Sequence, residues 1–405
     1  MSELYKLDPK GNVTSPKSFI AGGTYAGLKT LAESKLDLGL LRSEVKCSSA
    51  GVFTKNKIRS HSVTLSEKNL KKGPIQGIVV NSGIANACVG DQGMIDAEEC
   101  VNVAATHMKL LPDELVICST GIIGVELPVD LIRKGITEID LSNDGGDRLA
   151  EAILTTDTKT KQASITFELD NKKVTIGGIA KGAGMIHPNM ATMLAFITTD
   201  AAISEKDITS CLRKAVDVSF NMISVDGDTS TNDSVIMLAN GTSKVKDIDF
   251  TTSNGNSFQQ ALNQLCIYLA KEIVGDAEGA QKCIEVKIEG CSSAEDARSI
   301  ARTIISSTLV KTAIHGSDPN WGRILAAVGR SGISIDENKI TLNINGVCMF
   351  ENGIPVPFHK EGAIGAMNKQ DVNIHIKFNN GKFTATAWGS DLSEEYVTFN
   401  SMYTT

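Results

Sequence analysis

The stretch KGAGMIHPNMATMLAFITTD, Lys181 to Asp200, changes without a polar spacer from a loop containing glycine and proline into an apolar, strand-like run that begins at Met193. Thr192 stands at the junction, preceded by Ala191, which presents little steric bulk. A threonine hydroxyl is a weak nucleophile, and exposing its own α-amine as the adjacent base is one way to activate it. Attack of the Thr192 hydroxyl on the Ala191 carbonyl would turn the peptide into an ester. Hydrolysis would then leave Thr192 as a new N-terminus. A buried strand threonine that merely follows a loop is the plainer reading of the same residues.

Upstream, the segment is preceded by strand-like KVTIGGIA, Lys173 to Ala180, and downstream it is followed by a helix expected over Ser204 to Phe220. Ser204 serves as the cap and Asp207 favours the helix start. A strand, helix, strand unit lies earlier: IQGIVVN (Ile75 to Asn81), a helically spaced Met94 to Leu111 with Pro112 beyond it, and ELVICST (Glu114 to Thr120). Further helices are expected over Ser257 to Asp276 and Ala294 to Leu309, and Cys283 to Gly290 alternates as a half-buried strand does. The last eighty residues contain ITLNINGVCMF, DVNIHIKFNNGKFTATAWGS and YVTFNS, which read as antiparallel strands with an Asn380-Gly381 hairpin turn. Helices and strands are mixed rather than strictly alternating, and no linker or internal repeat divides the chain. The fold class is therefore a layered α/β sandwich, with residues 1–405 as a single interleaved unit.

The 405 residues are 41% hydrophobic with a net charge of −7, which gives no broad attraction to nucleic acid or to an anionic membrane. Nine cysteines (47, 88, 100, 118, 211, 266, 283, 291 and 348) form no C-x-x-C pair and read as reduced core residues. The N-terminus lacks a basic start followed by an apolar run, and the uncharged stretch from Gly182 to Thr199 is interrupted by His187, Pro188 and Asn189. A cytoplasmic protein without a membrane span is expected. Six scattered histidines without an H-E-x-x-H pattern argue against zinc. The run Asp226, Asp228, Ser230, Asn232 begins like a calcium loop, but Thr231 and Met237 stand where glycine and glutamate are required. A polar turn is the better reading, and no metal is expected.

Thr120-Gly121 follows a buried strand, where a hydroxyl and a closely approaching backbone N–H could stabilise a developing oxyanion. A strand-end turn without a ligand is the alternative. Lys181 places a cation on the glycine loop eleven residues before Thr192, and Glu278 in GDAEGA supplies the opposite charge; together they suit an amino acid, while either alone reads as a solvated surface charge. The segment lacks the G-K-[ST] ending of a P-loop and a full G-x-G-x-x-G, which leaves nucleotide binding a weak alternative. His187 reads as a loop residue, because a terminal amine removes the need for a histidine base. Asp318-Pro319 in GSDPNWGR reads as a turn, and the sequence leaves Trp321 and Arg323 open between packing and substrate contact.

The wording of the Lys181 to Asp200 segment resembles the glutamate N-acetyltransferase family, also called ornithine acetyltransferases, whose members cut themselves before such a threonine. The resemblance extends in family order through NSGIANACVG (Asn81 to Gly90), STGIIGVELP (Ser119 to Pro128), ILTTDTKTK (Ile153 to Lys161), SVDGDTSTND (Ser224 to Asp233), VGDAEGA (Val274 to Ala280), GSDPNWGRI (Gly316 to Ile324) and the terminal NSMYTT. It implies helices flanking stacked sheets, as in self-processing aminopeptidases. It also implies cleavage between Ala191 and Thr192 into an alpha chain, 1–191, and a beta chain, 192–405. By the same matching, Thr192 is the nucleophile and Thr120 with Gly121 the oxyanion hole. Thr155, Lys181, Thr192, Glu278, Asn400 and Thr405 are then substrate-binding; Thr155 rather than Thr156 matches the family position, although chemistry alone does not separate them. The implied reaction moves an acetyl group from N2-acetyl-L-ornithine to L-glutamate in arginine synthesis, without a metal or organic cofactor. Family members differ in whether acetyl-CoA also serves as donor, and two copies of each cleaved chain are typical. Rival readings are an amidase or aminopeptidase, in which water resolves the acyl-enzyme, and a non-catalytic small-molecule binding protein.

Overall fold

The computed structural model describes residues 5–29, 35–187 and 193–402. Among these residues the strands form three sheets. The first has four strands in the order Phe19–Thr24, Leu38–Ser43, Gly77–Ile84 and Leu115–Ile122. The second has six, in the order Lys6–Asp8, Lys161–Leu169, Lys172–Lys181, Leu194–Thr199, Ser234–Ala239 and Ser48–Phe53. The third has seven and is built mainly from the C-terminal part of the chain.

Side-chain alternation explains how the first two sheets stack. Ile78, Val80, Val116 and Cys118 share one core with Leu194, Phe196, Ile236 and Leu238 of the second sheet. The intervening Val79, Leu115 and Ile117 face the opposite way, onto the helices Gln92–Met108 and Val129–Glu138. Likewise Ala195, Ile197, Val235 and Met237 turn away from the first sheet toward helices Glu205–Asp217 and Ser253–Gly275. A strand puts successive side chains on opposite faces, so strands apolar on both faces end up between layers. The resulting order is helices, sheet, sheet, helices, as the layered α/β expectation requires. The core under Ser253–Gly275 continues into Ile284, Val286 and Ile374 of the third sheet.

Most expected elements are present, with instructive departures. The helix after Ser204 runs over Glu205–Asp217, and the Ser204 hydroxyl accepts the Asp207 N–H at 3.1 Å. The helix expected from Ser257 begins at Ser253 instead, because Thr252 caps it. The expected Ala294 to Leu309 helix is two, Ala294–Ile305 and Thr308–His315, broken at Ser306-Ser307. YVTFNS belongs to a helix, Glu394–Met402, not a strand; the Ser393 hydroxyl accepts the Tyr396 N–H, and two glutamates occupy the first turn.

Asn380-Gly381 does not close a hairpin. Strand Cys283–Cys291 lies between the two strands that this turn connects, parallel to Asp371–Phe378 and antiparallel to Phe383–Ser390. The turn instead wraps the end of the inserted strand: the Asn380 N–H donates to Gly290 O at 3.0 Å, and a Cβ on Gly381 would lie 2.3 Å from Cys291 O. The cysteines are all free thiols; Cys88 is exposed and Cys283 and Cys348 are half-buried, so the core reading holds for the other six.

Candidate active site

Ala191, Thr192 and Thr405 lie outside the described residues, and the site is built from what surrounds them. Thr120 and Gly121 sit at the end of strand Leu115–Ile122, where the parallel pairing with Gly77–Ile84 loses its regular register. Gly121 has φ 132°, and a Cβ there would lie 2.1 Å from the carbonyl carbon of Gly83. Only glycine fits, and its backbone is held against the neighbouring strand end. Ser119, one residue earlier, donates its hydroxyl to Asn81 Oδ1 at 2.6 Å, which pins the strand just before Thr120.

Lys181 is the last residue of strand Lys172–Lys181, not part of the glycine loop, and it is buried. Its ammonium donates to Thr155 Oγ1 at 2.8 Å and to Thr120 Oγ1 at 3.3 Å. Burial pushes the Lys181 pKa down, the nearby Asp157 carboxylate pushes it up, and Lys161 opposes that. Because a cation fills an acceptor position on Thr120 Oγ1, the hydroxyl's own proton is left for another acceptor. That is the polarity an oxyanion donor needs.

Glu278 is buried on the other side of the Thr155-Thr156 pair. Its carboxylate accepts the Thr156 hydroxyl at 2.6 Å and the Asn400 amide at 2.9 Å. Its N–H donates to Ala183 O at 3.1 Å, and a Cβ on Gly184 would lie 2.4 Å from its carboxylate oxygens. The glycine loop is thus small where it must let this carboxylate in. Thr120, Thr155, Lys181, Glu278 and Asn400 therefore converge, with a cation and an anion separated by adjacent threonines. Thr155 serves the cation and Thr156 the anion, a division of labour that chemistry alone did not reveal.

The arrangement can be set beside known proteins. A model of the ArgJ family matches residues 20–405. The chain belongs to the ArgJ family. It is 47% identical over 405 residues, 100% of both chains, to the arginine biosynthesis bifunctional protein ArgJ of Dehalococcoides mccartyi (strain CBDB1). It is 45% identical to the protein of the same name from Symbiobacterium thermophilum, over 98% of this chain and 99% of that one. Among solved structures, the Bacillus halodurans ArgJ is 40% identical, covering 47% of this chain and 100% of that one, with a TM-score of 0.44. The ornithine acetyltransferase of Mycobacterium tuberculosis, solved with ornithine, is 36% identical over 46% of this chain and 100% of that one, also with a TM-score of 0.44. The family resemblance read from the sequence blocks is confirmed.

Several residues of this ArgJ-family site were not singled out by their sequence pattern. Lys161 makes 2.6 Å ion pairs with both Asp157 and Asp276, and all three side chains are out of solvent or nearly so. Asp157 also accepts the N–H groups of Thr155 (3.0 Å) and Gly182 (2.6 Å), while Asp276 accepts the Thr158 N–H (3.0 Å). Burial pushes the Asp157 carboxyl up, but the Lys181 and Lys161 cations outweigh it and hold the pKa at about 2. This triad ties the loop carrying Thr155 to the strand end carrying Lys181 and to the segment leading to Glu278. TTDTKTK has no apolar periodicity, so a buried polar role left no pattern to read.

Asp226 accepts the N–H groups of Met185 (2.6 Å) and Ile186 (2.8 Å), so the supposed calcium run is a polar turn that shapes the glycine loop. No group of His, Cys, Asp and Glu suited to a metal occurs among the described residues. His187 bonds Ser224 Oγ at 3.0 Å and faces Arg302 at 3.1 Å; burial and then Arg302 push its pKa down to about 4. It is a neutral loop residue held by its neighbours. Trp321 stacks on Phe350 with centroids 5.5 Å apart, and Arg323 donates to Leu309 O at 3.1 Å, so both make packing contacts.

Proposed function

We propose that the chain transfers the acetyl group of N2-acetyl-L-ornithine to L-glutamate through an acetyl ester on Thr192, after freeing that residue by cutting its own chain after Ala191. Family membership makes it a bifunctional enzyme of arginine biosynthesis with acetyltransferase activity on small amino-acid substrates. The observation that carries the mechanism is the placement of buried Lys181 and buried Glu278 on either side of a threonine pair, with Lys181 also bonded to Thr120. A charge of each sign suits the ammonium and carboxylate of an amino acid, and Thr120 with Gly121 suits the oxyanion of an acyl transfer.

In the proposed cycle the Thr192 α-amine takes the proton of its own hydroxyl as the oxygen attacks the acetyl carbonyl. Thr120 and Gly121 stabilise the resulting oxyanion, and the amide C–N bond breaks as the proton passes to the departing ornithine amine. Glutamate then attacks the acetyl-threonine ester through its amine, and the proton it loses returns to the Thr192 oxygen. Lys181, Thr155, Glu278, Asn400 and Thr405 hold the amino acids. The route uses no metal or organic cofactor, and acetyl-CoA is a second acetyl donor to be tested beside acetylornithine. Self-cleavage would give chains of 191 and 214 residues, assembled as two copies of each. No helix among the described residues is long and apolar enough to cross a membrane, and the proposed site of action is the cytoplasm.

Intact-mass measurement of the protein beside Thr192→Ala tests this first. Two fragments meeting at Ala191 and Thr192, absent in the variant, are expected; one full-length species in both folded proteins overturns the mechanism. Acetylornithine consumption should require glutamate and give ping-pong rate patterns, whereas glutamate-independent consumption would indicate an amidase. Native mass measurement checks the two-plus-two assembly.

A further inference from the structure

The entry into strand Ser234–Ala239 holds a polar pair that the proposed chemistry does not use. Asn232 donates both hydrogens of its side-chain amide to backbone, to Ser119 O at 2.7 Å and to Ala85 O at 2.6 Å. Those carbonyls lie beside the two strand ends that meet at Thr120-Gly121. The Ser234 N–H donates to Met193 O at 3.0 Å, and the Met193 N–H and the Thr54 side chain face the Asp233 carboxyl, each favouring its ionised form. Met193 is the residue after Thr192 in the chain. Consecutive side chains thus grip the oxyanion strand on one side and the start of the nucleophile's strand on the other.

Asp233 is 2% exposed, and its Oδ2 has no hydrogen-bond partner among the described residues. Val52, Val216, Phe220 and Val235 line the small cavity beside it. An ionised carboxylate there would leave a buried charge without a directly bonded cation, at a cost of several kcal/mol. A proton on the carboxyl removes that cost. Lys181 is the charged group that faces it and favours ionisation, but burial dominates and pushes the Asp233 pKa well above the usual carboxylate range.

We propose that Asn232 and Asp233 form a positioning clamp that sets Met193, the residue that follows Thr192 in the chain, relative to the strand ends carrying Thr120-Gly121, with Asp233 acting as a neutral hydrogen-bonding acid rather than as a charge. The clamp rests on the assignment of Thr192 as nucleophile. Asp233 acts through the backbone of Met193, so the effect of losing it falls on self-cleavage and on kcat, not on the substrate-holding Lys181 and Glu278.

The test compares Asp233→Asn, Asp233→Leu and Asn232→Ala in the full chain, reading the self-cleavage rate by intact mass, kcat and KM, and thermal unfolding against pH. Asn has the shape of the protonated acid and keeps an acceptor for Met193 N–H. Leu removes the bond, and a misplacement of that kind costs about 100-fold. Expected are a loss of about that size in cleavage and kcat for Asp233→Leu with little change in KM, recovery of most of it in Asp233→Asn, and a kcat-selective loss in Asn232→Ala. The stability readout has a definite sign. The unfolded chain releases the Asp233 proton above the ordinary carboxylate pKa of about 4, while the folded chain keeps it, so the wild type loses stability as pH rises through that value. Asp233→Asn should therefore melt higher than wild type at pH 7, and the gap should close near pH 4. Asp233→Asn as inactive as Asp233→Leu, or no pH-dependent gap, overturns the neutral acid. Wild-type cleavage and turnover in Asn232→Ala and Asp233→Leu overturn the clamp. If Asp233→Leu does not fold, Asn232→Ala and Asp233→Asn decide the two parts. An uncut wild type would instead overturn the Thr192 assignment, with the melting comparison still reporting the state of Asp233.

Discussion

A buried ammonium that donates to a hydroxyl oxygen also decides where that hydroxyl's proton goes. Lys181 bonds both Thr155 and Thr120, so in the proposed mechanism it acts on the oxyanion donor as well as on substrate. Loss of one oxyanion donor costs about 100- to 1,000-fold in kcat. Thr120→Ala should fall in that range, and Lys181→Met should lower kcat as well as raise KM. In the double variant the kcat losses should be markedly less than additive, because part of the lysine's effect passes through Thr120. Additive kcat losses in a double-mutant cycle would show that Lys181 contributes through substrate alone. At this scale the sequence blocks named Gly121, Lys181, Glu278 and Asn400, and the fold brings these residues to one place. The sequence was silent on Asp233, whose significance lies in what surrounds it: a fully buried acid and an exposed one are the same letter.

Three elements meet at the Lys161 triad: the start of strand Lys161–Leu169, the end of helix Ser253–Gly275 and the loop that holds Thr155 and Thr156. Removing one member of a buried ion cluster strands the charges it compensated, typically at about 3–5 kcal/mol. Lys161→Met should lose about that much in urea unfolding, whereas exposed pairs such as Lys271–Glu285 should contribute about 1 kcal/mol or less. Asp157 adds an acid signature. Its folded pKa of about 2 lies below the ordinary carboxylate value, so the stability it contributes is complete above about pH 4 and is lost as pH falls toward 2. Acid unfolding of Asp157→Asn should lack that component. Elements with a local cause were legible, as with the Ser204 cap and its helix. Those decided at long range were not: Asn380-Gly381 specifies a chain reversal, but whether a third strand enters between the arms depends on Cys283–Cys291, ninety residues earlier in the chain. YVTFNS shows the opposite failure, in which a cap at Ser393 prevailed over residues that favour strands.

Across the whole molecule, the stacked layers follow from strands that are apolar on both faces, and that pattern was readable without knowing which strands are neighbours. The six-stranded sheet shows why neighbour choice would matter under the proposed cut after Ala191. Strands Lys172–Lys181 and Ser48–Phe53 come from the part before Thr192, and between them lie Leu194–Thr199 and Ser234–Ala239 from the part after it. Main-chain hydrogen bonds would therefore cross between the two proposed products on both sides of this central pair, and neither could leave without opening the sheet. Before such a cut these strands find each other within one molecule; after it the same pairing would be a meeting of two solutes, and the effective concentration supplied by the connecting peptide would be gone. Refolding from denaturant should consequently give a yield that rises with protein concentration for the processed protein, but one nearly independent of it for Thr192→Ala at concentrations too low for aggregation. Maturation would leave a protein whose persistence depends on the slowness of its opening more than on its ability to form again.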